Sequence, residues 1–322
     1  MKVLVCTPKS LPASKQLIAA KTAIRMNPFN RPRLNQLGTG KMGIRATPQR
    51  IAVATAKYWG LQGVHLTVAF LDNAPKDLKK RILLHMNAWG TTANVSFVET
   101  STDPQVRIAR VEGEEGGYWS YLGTDILHIK KTEQTMNLEG FTMQTLESEF
   151  HRVVRHETGH TLGFPHEHLR KALVAKLDVA KTVAYFKRTQ GWSETDVRAQ
   201  VLTPIEESTL RGTSVDAKSI MCYQLPGSIT KDGKALCCVD TAWWPLMKER
   251  TTCCWTRSVH QLISRSVAVA TVNGLFGSSR LLAELHVLPN QFSLGTGLNN
   301  TRSASRALAF TGCGINSTSK RC

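Results

Sequence analysis

The chain has 322 residues, a hydrophobic fraction of 42% and a formal net charge of +17 at pH 7. This length suits one large domain or two ordinary ones, and the composition supplies enough apolar residues for a buried core. A helix needs about 20 consecutive apolar residues to cross a bilayer. The chain has no such run, so the sequence predicts no membrane span.

The positive charge is unevenly distributed along the chain. Residues 1–50 carry ten basic and no acidic residues, residues 51–230 carry twenty of each, and residues 231–322 carry eleven basic and four acidic residues. A nucleic-acid-binding protein usually carries its basic patch on the folded domain, whereas here only the flanks are basic. We therefore do not expect nucleic acid as a partner. Binding of a polyanion through the two flanks is left open as an alternative.

The flanks also differ from the middle in their residue pattern. Residues 1–50 are polar and interrupted by prolines, which predicts a basic, flexible leader. Residues 51–234 show regular hydrophobic periodicity and are predicted to form a folded domain. Residues 235–322 lose that periodicity, hold six of the eight cysteines and are predicted to be a divergent, poorly ordered tail. A genuine small domain and a product of a reading-frame change are both left open there.

The middle segment alternates strands with helices. Val64–Leu71 is predicted to be a buried strand, and Pro75 opens a helix that runs to Trp89. The glycine-bounded aromatic segment Gly116–Gly123 suggests an edge strand. Further strands are predicted at Val95–Glu99, Val106–Val111 and Ile126–Lys130, and further helices at Leu146–Leu162, Asp178–Thr189 and Ser193–Leu202. This order predicts an α+β fold with a mixed sheet.

The strongest chemical signal lies at the end of the helix predicted at residues 146–162. His156 and His160 are four residues apart, so they face the same side of the helix. Gly163 is predicted to end the helix, because glycine tolerates the left-handed conformation that reverses the chain. The chain then brings back His166 as a third ligand. Three neutral imidazoles suit one Zn²⁺ ion and leave a position open for water.

Glu157 directly follows the first histidine and is placed to accept a proton from water rather than to bind the metal. Zinc lowers the pKa of bound water from ~15.7 to ~7, so a carboxylate can complete its activation near neutral pH. The sequence therefore predicts a zinc-dependent metalloendopeptidase with one catalytic ion. It would hydrolyse peptide bonds of a polypeptide substrate with a zinc-bound water activated by Glu157.

Two further segments carry a resemblance to a known family. Ser219-Ile-Met-Cys-Tyr223 and the ending Phe164-Pro-His-Glu-His168 of the histidine motif resemble the astacin peptidases of the metzincin clan, in their bacterial-type form. The resemblance implies that residues 51–234 form a metallopeptidase catalytic domain of the metzincin-type zincin fold. Its mixed twisted sheet and two long helices form an upper subdomain, and its lower subdomain is mostly irregular. Met221 would support the three imidazoles from below, and Tyr223 would be a catalytic residue that stabilises the tetrahedral intermediate.

The aromatic segment also resembles an astacin element, the edge strand beside the substrate cleft. Its residues would pair antiparallel with an extended peptide; they are Tyr118, Trp119, Ser120 and Tyr121. Gly163 and Met221 are assigned structural support. Whether residues 1–50 form a propeptide is left open, and we do not expect any of their residues to occupy the zinc.

Other interpretations of the same residues stay open. A catalytically impaired zinc-binding module would result if the tail failed to replace the helix that closes the lower subdomain in the family. The intact Glu157 argues against this alternative. A monomer is favoured, and the compartment is left open. The family resemblance suggests secretion, but the sequence shows no clear signal peptide, which leaves the cytoplasm as an option.

Overall fold

The computed structural model describes residues 6–32, 52–205 and 214–236. The predicted tail lies outside the described residues, apart from its first two positions, and so does the rest of the predicted leader. The domain boundaries at residues 50 and 234 therefore stay predictions. Among the described residues, no helix combines the length and apolar character that crossing a membrane requires.

Five strands form one mixed sheet in the order β2-β1-β3-β5-β4. The strands are β1 (Val64–Phe70), β2 (Val95–Glu99), β3 (Val106–Ala109), β4 (Tyr118–Ser120) and β5 (Met136–Leu138). Neighbouring strands run parallel except β4, which pairs antiparallel with β5. The predicted α+β fold with a mixed sheet is confirmed, and the aromatic segment does lie at the edge of the sheet.

The α-helical segments of the described residues include α1 (Ala13–Met26), α2 (Lys76–Met86), α3 (Glu147–Glu149), α4 (Arg155–Leu162), α5 (Lys171–Val174), α6 (Val179–Gln190) and α7 (Glu194–Val197). A π-helical turn, Phe150–Val154, joins α3 to α4, so the predicted helix over 146–162 is helical from residue 147 onward. Another π-helical turn, Arg198–Leu202, follows α7.

Side-chain caps begin α6 and α7. The Asp178 carboxylate accepts a hydrogen bond from the backbone N–H of Lys181. Ser193 and Asp196 form a reciprocal capping box at the start of α7, which satisfies backbone donors that the first helical turn leaves unpaired. The helix predicted to start at Ser193 does begin there, with Ser193 as its N-cap residue.

The strand predicted at Ile126–Lys130 is wrong. Residues Gly123–His128 form a 3₁₀ helix instead, and the strand that completes the sheet is β5, further along the chain. Ile126 and Ile129 are both buried. Their spacing of three residues places them on one side of a 3₁₀ turn, where side chains at i and i+3 eclipse.

Part of the predicted flexible leader is a folded element that packs on the domain. α1 contacts the 3₁₀ helix Gly123–His128 and buries a face of small side chains that allows close approach. That face consists of Ala19, Ala20 and Ala23. Pro12 precedes α1 as its N-cap residue, and Pro28 lies at the start of a 3₁₀ turn. Both prolines stand at element starts, where the missing N–H costs nothing, so they do not disrupt this segment.

Two buried asparagines fix the end of α1 to the domain. The Asn27 amide donates to the carbonyl of Trp59. The Asn30 amide donates to the carbonyl of Tyr58, and its side-chain oxygen accepts from the Tyr58 N–H. The expectation of a poorly ordered leader therefore does not hold for residues 13–30.

The main core lies between the sheet, α2 and α4, where apolar side chains pack together. A second core joins α5, α6 and α7 to the segment around Tyr223.

A buried charged residue, Arg107 on β3, fixes the chain that leads into the last strand of the sheet. It is 1% exposed. Its guanidinium donates to four backbone carbonyls, those of Pro104, Gln105, Ile129 and Glu133. These bonds hold the connection between the 3₁₀ helix and β5.

Replacing Arg107 tests this connection. We expect Arg107→Met to lower the free energy of unfolding by about 3 kcal/mol, because it leaves several buried carbonyls without donors. The matched control is Lys130→Met, which breaks an exposed ion pair with Glu133 and should cost less than about 1 kcal/mol. Urea denaturation of both variants provides the measurement, and equal losses would contradict the assignment.

Candidate metal centre

Helix α4 carries the first two predicted ligands toward one point. His156 and His160 are both buried, and their ring centroids lie 4.8 Å apart. The helix stops at Gly163, which adopts a left-handed conformation with φ of 104°. The Phe164 N–H then bonds to the Gly159 carbonyl, and the chain turns back. The predicted helix end is confirmed.

The turn brings His166 against the other two histidines. Its Nε2 atom lies 3.1 Å from Nε2 of His156 and 3.1 Å from Nε2 of His160. The opposite ring nitrogens face carbonyls: His156 Nδ1 lies 2.6 Å from the Ile220 oxygen, and His160 Nδ1 lies 2.8 Å from the Phe164 oxygen. Since a carbonyl only accepts, Nδ1 is the donor in both rings, and both Nε2 lone pairs face the cluster.

The protonation states suit metal binding. Burial lowers the pKa of His156 to about 4 and holds the pKa values of His160 and His166 well below the ordinary value. All three rings are therefore neutral at physiological pH. His166 could donate a proton to one neighbour at most, so in at least one contact two Nε2 lone pairs meet with no hydrogen between them. A divalent cation bound by three Nε2 atoms removes that conflict, and neutral imidazoles oriented by carbonyls are the donors that zinc prefers.

Glu157 lies in the same buried pocket with 0% exposure. Neither carboxylate oxygen has a partner in hydrogen-bond geometry among the described residues. Burial raises the pKa of Glu157 to about 8, against smaller opposing effects of the Cys6 thiol and the Arg152 guanidinium. The thiol is thus near enough to influence the carboxyl without meeting hydrogen-bond geometry. An unpaired buried carboxyl of this kind is costly for folding alone and is typical of a functional group.

Met221 packs beside α4, as its predicted supporting role requires. A β-carbon built on Gly159 would lie 2.4 Å from the Met221 sulfur, so the glycine makes room for the methionine. The carbonyl of Met221 accepts from the Glu167 N–H, while its neighbour Ile220 orients His156. One short segment therefore fixes a ligand ring and the loop that carries the third ligand.

Tyr223 lies beside the cluster, with its ring centroid 4.5 Å from that of His166. It also stacks on His168 at 4.1 Å, and its N–H donates to His168 Nδ1. The phenolic hydroxyl donates to the backbone carbonyl of Cys6. The residue predicted to stabilise an oxyanion is thus close to the ligands, with its hydroxyl bound to the leader.

The predicted substrate-binding residues lie on β4 and just after it. Trp119 and Ser120 are buried, while Tyr118 and Tyr121 are partly exposed. The Ser120 hydroxyl lies 3.0 Å from the Thr161 hydroxyl on α4. The edge strand is therefore tied directly to the helix that carries the ligands.

One residue at the site was missed from the sequence. A ligand atom of Cys6 and one from each of the three histidines all lie within 4.8 Å of one another. Burial, together with Glu157, raises the pKa of the Cys6 thiol well above its usual value. The expectation that no leader residue reaches the zinc position is contradicted. The sequence offers one signal for this role: Cys6 is a residue type that binds metals, and residues 1–50 contain no other cysteine. About 150 residues separate Cys6 from the histidine motif, however, so no local pattern connects the two.

A second histidine cluster in the described residues is less suited to a metal. His85 and His151 lie near Glu147, with His85 Nε2 at 3.0 Å from its carboxylate. Arg81 also pairs with this carboxylate at 2.7 Å, and Arg155 lies 3.2 Å from the His151 ring nitrogen. Two guanidinium groups already supply the positive charge at this position.

Comparison with models of known protein families shows to which family the chain belongs. Residues 53–242 match the model of the peptidase family described as Astacin, which is more than half of the chain. The chain belongs to the astacin family of metallopeptidases. The match ends before the remaining tail, and no curated protein matches the chain.

A solved structure agrees with this membership. The structure of myroilysin is 30% identical, with a TM-score of 0.52; the alignment covers 56% of this chain and 86% of that one. The metzincin-type fold predicted for this astacin is confirmed. A more distant match is high choriolytic enzyme 1, a hatching enzyme zinc-protease from the medaka fish Oryzias latipes. It is 18% identical with a TM-score of 0.37, and its alignment covers 54% of this chain and 76% of that one.

The left-handed glycine that returns His166 to the cluster can be tested by substitution. In Gly163→Ala the new β-carbon would lie 3.0 Å from the Lys57 carbonyl oxygen, at a φ of +104°. We expect a loss of about 2 kcal/mol in unfolding free energy and weaker zinc binding, because the loop carrying His166 must shift. Thermal unfolding and zinc competition with a chromophoric chelator measure the two effects.

The control is Gly191→Ala at the end of α6. Gly191 has a φ of +75°, but a β-carbon there meets nothing within 4 Å. This variant should lose about 1 kcal/mol and keep the zinc affinity of the parent astacin. Equal zinc affinities in Gly163→Ala and Gly191→Ala would contradict the assigned role.

Proposed function

We propose that this astacin is a zinc-dependent endopeptidase that cleaves extended polypeptides. The observation that carries the proposal is the convergence of three neutral imidazole nitrogens from His156, His160 and His166 beside a buried, unpaired carboxyl. Family membership supports zinc-dependent proteolysis in general. The roles of individual residues are inferred from their positions.

The three histidines would hold the metal, and the carbonyls of Ile220 and Phe164 keep two of the rings in the tautomer whose Nε2 atom can bind it. A zinc ion there would supply Lewis acidity and lower the pKa of a water molecule to about 7. Glu157 accepts a proton from the attacking water, whose oxygen forms the new bond to the peptide carbonyl carbon. As the C–N bond breaks, Glu157 gives this proton to the leaving amine.

Tyr223 and β4 complete the proposed reaction site. Once its hydroxyl is free of the Cys6 carbonyl, Tyr223 can donate to the oxygen that becomes negatively charged, a contribution of about 3 kcal/mol for one such donor. The outer edge of β4, which pairs with residues 6–9 in this structure, would offer its backbone groups to an extended peptide once those residues move away. A peptide bound there lies beside α4, because Ser120 contacts Thr161.

The first test replaces the proposed base. We expect Glu157→Gln to bind one zinc ion per chain and to lose hydrolysis of casein by on the order of 10²–10⁴-fold. The effect of Glu157→Gln is measured in two backgrounds, the wild-type chain and Cys6→Ser. The second background is needed because the Cys6 thiol lies among the three histidines. Glu194→Gln on α7, an exposed carboxylate paired with Arg198, is the matched control and should change neither property.

Metal removal supplies an independent check. A chelator or His160→Ala should abolish both zinc content and hydrolysis, and added zinc should restore the chelated protein alone. Hydrolysis that survives Glu157→Gln or chelation would overturn the mechanism. Stoichiometric zinc without hydrolysis in the Cys6→Ser parent would instead support the zinc-binding module without catalysis.

A further inference from the structure

A lysine side chain occupies a small cation-binding site at the outer edge of β4. The Lys9 ammonium lies 3.0 Å from the Glu115 carboxylate and stands over the Trp119 ring, 5.0 Å from its centroid. A carboxylate and the face of an indole are two groups that attract an ammonium or a guanidinium group. These two residues are called the Glu115–Trp119 site below.

The domain builds this site from its own contacts. The indole N–H of Trp119 donates to the backbone carbonyl of Glu115 at 3.0 Å, which holds the ring beside the residue that carries the carboxylate. The Tyr121 ring packs edge-on against Trp119, with centroids 5.9 Å apart. Glu115 is the last residue of the 3₁₀ turn Gly113–Glu115. None of these contacts involves Lys9, so the same groups can receive a basic side chain from another peptide.

The surroundings of the Glu115–Trp119 site are acidic. Glu112 and Glu114 precede Glu115 in the chain, and both are exposed. Burial raises the pKa of the Tyr121 hydroxyl, and the negative charges of Glu115 and Glu133 add to this effect. These carboxylates attract a basic side chain and repel an acidic one. Charge complementarity therefore favours lysine or arginine as the ligand of this site.

The backbone that carries this ammonium lies where the backbone of a substrate is expected. The Lys9 N–H donates to the Ser120 carbonyl at 3.3 Å, and Lys9 forms a bridge with Tyr121 on the outer edge of β4. At the other end of β4, Cys6 forms a bridge with Tyr118 and has a ligand atom within 4.8 Å of one from each of the three histidines. The Tyr118 end of β4 is therefore level with the candidate metal centre.

The direction of β4 determines which part of a substrate would meet the Glu115–Trp119 site. A peptide that pairs antiparallel with β4 passes Tyr121 first and reaches the metal centre beside Tyr118, three residues further along. Substrate residues beside Tyr121 therefore precede the scissile bond. Residues 6–9 run parallel to β4 instead, but the flexible four-carbon stem of a lysine lets its ammonium reach the site from either backbone direction.

We propose that Glu115 and Trp119 form a subsite for a lysine or arginine side chain of the substrate, at the third residue before the scissile bond. The inference rests on the proposed function, because it assumes that a polypeptide lies along β4 with its scissile bond at the three histidines. It adds a preference for basic polypeptide segments, which the histidines and Glu157 do not determine.

Matched peptides measure this preference directly. A short neutral, internally quenched peptide is synthesised with a single Lys, Met or Glu placed at successive positions, and mass spectrometry locates the bond that the full-length protein cuts. We expect the preferred bond to move along the peptide with the lysine. With the substituted residue third before that bond, kcat/KM should be about fivefold higher for Lys than for Met and lowest for Glu. Ratios between peptides are compared, because residues 6–9 must leave β4 for every peptide and their effect on the rate cancels.

Substitutions on the 3₁₀ turn assign the preference to the subsite. Glu115→Gln should lower the Lys-to-Met ratio to about two, since the indole face alone remains. Glu115→Lys should favour the Glu peptide. Glu114→Gln, on the same turn, is the matched control and should keep the wild-type ratio. Equal kcat/KM for the Lys and Met peptides in the wild type, or one ratio shared by the wild type and Glu115→Gln, would overturn the subsite.

Peptide binding separates this inference from the proposed function. Fluorescence anisotropy gives the dissociation constants of the same peptides for the full-length Glu157→Gln chain loaded with zinc. Tighter binding of the Lys peptide that is lost when Glu115→Gln is added, together with no hydrolysis by the wild type, would support the subsite and overturn the endopeptidase. Hydrolysis by the wild type with equal dissociation constants for the three peptides would overturn the subsite alone. Failure of every peptide both to bind and to be cut would overturn both.

Discussion

Three neutral imidazole nitrogens that face one another across 3.1 Å are the constraint on which the rest of the site depends. Without a cation this arrangement is unfavourable, since lone pairs meet and only one proton can be shared through His166. The fold maintains it through backbone carbonyls at Ile220 and Phe164 and through the left-handed turn at Gly163. The surrounding elements hold these few atoms in place, because hydrogen bonds to metal-binding side chains generally set the orientation of the ligands.

The support for this arrangement comes from two distant parts of the chain. Met221 packs against Gly159 and is joined to the ligand loop by its bond to Glu167. Met221 belongs to the main core and Tyr223, two residues later, to the second core, so this segment links the two cores at the site. The leader is the second of these parts, since a ligand atom of Cys6 lies within 4.8 Å of one from each of the three histidines. The Glu157 carboxyl, with 0% exposure and no hydrogen-bond partner among the described residues, is destabilised by desolvation, so the fold bears a cost at this site that packing alone does not require.

The sequence predicted the parts of the site that are local. His156, His160 and Glu157 share one helix, and Gly163 and His166 follow within a few residues, so helical geometry and glycine's conformational freedom were sufficient. The strand predicted at residues 126–130 failed because a short run of apolar residues fits a 3₁₀ turn as well as a strand, and only long-range pairing with β3 selects β5. Cys6 was missed for the same reason, since no local pattern reveals a contact across about 150 residues. The prolines of the leader predict disorder by composition, but Pro12 and Pro28 stand at the starts of α1 and the following turn, where proline is compatible with a helix.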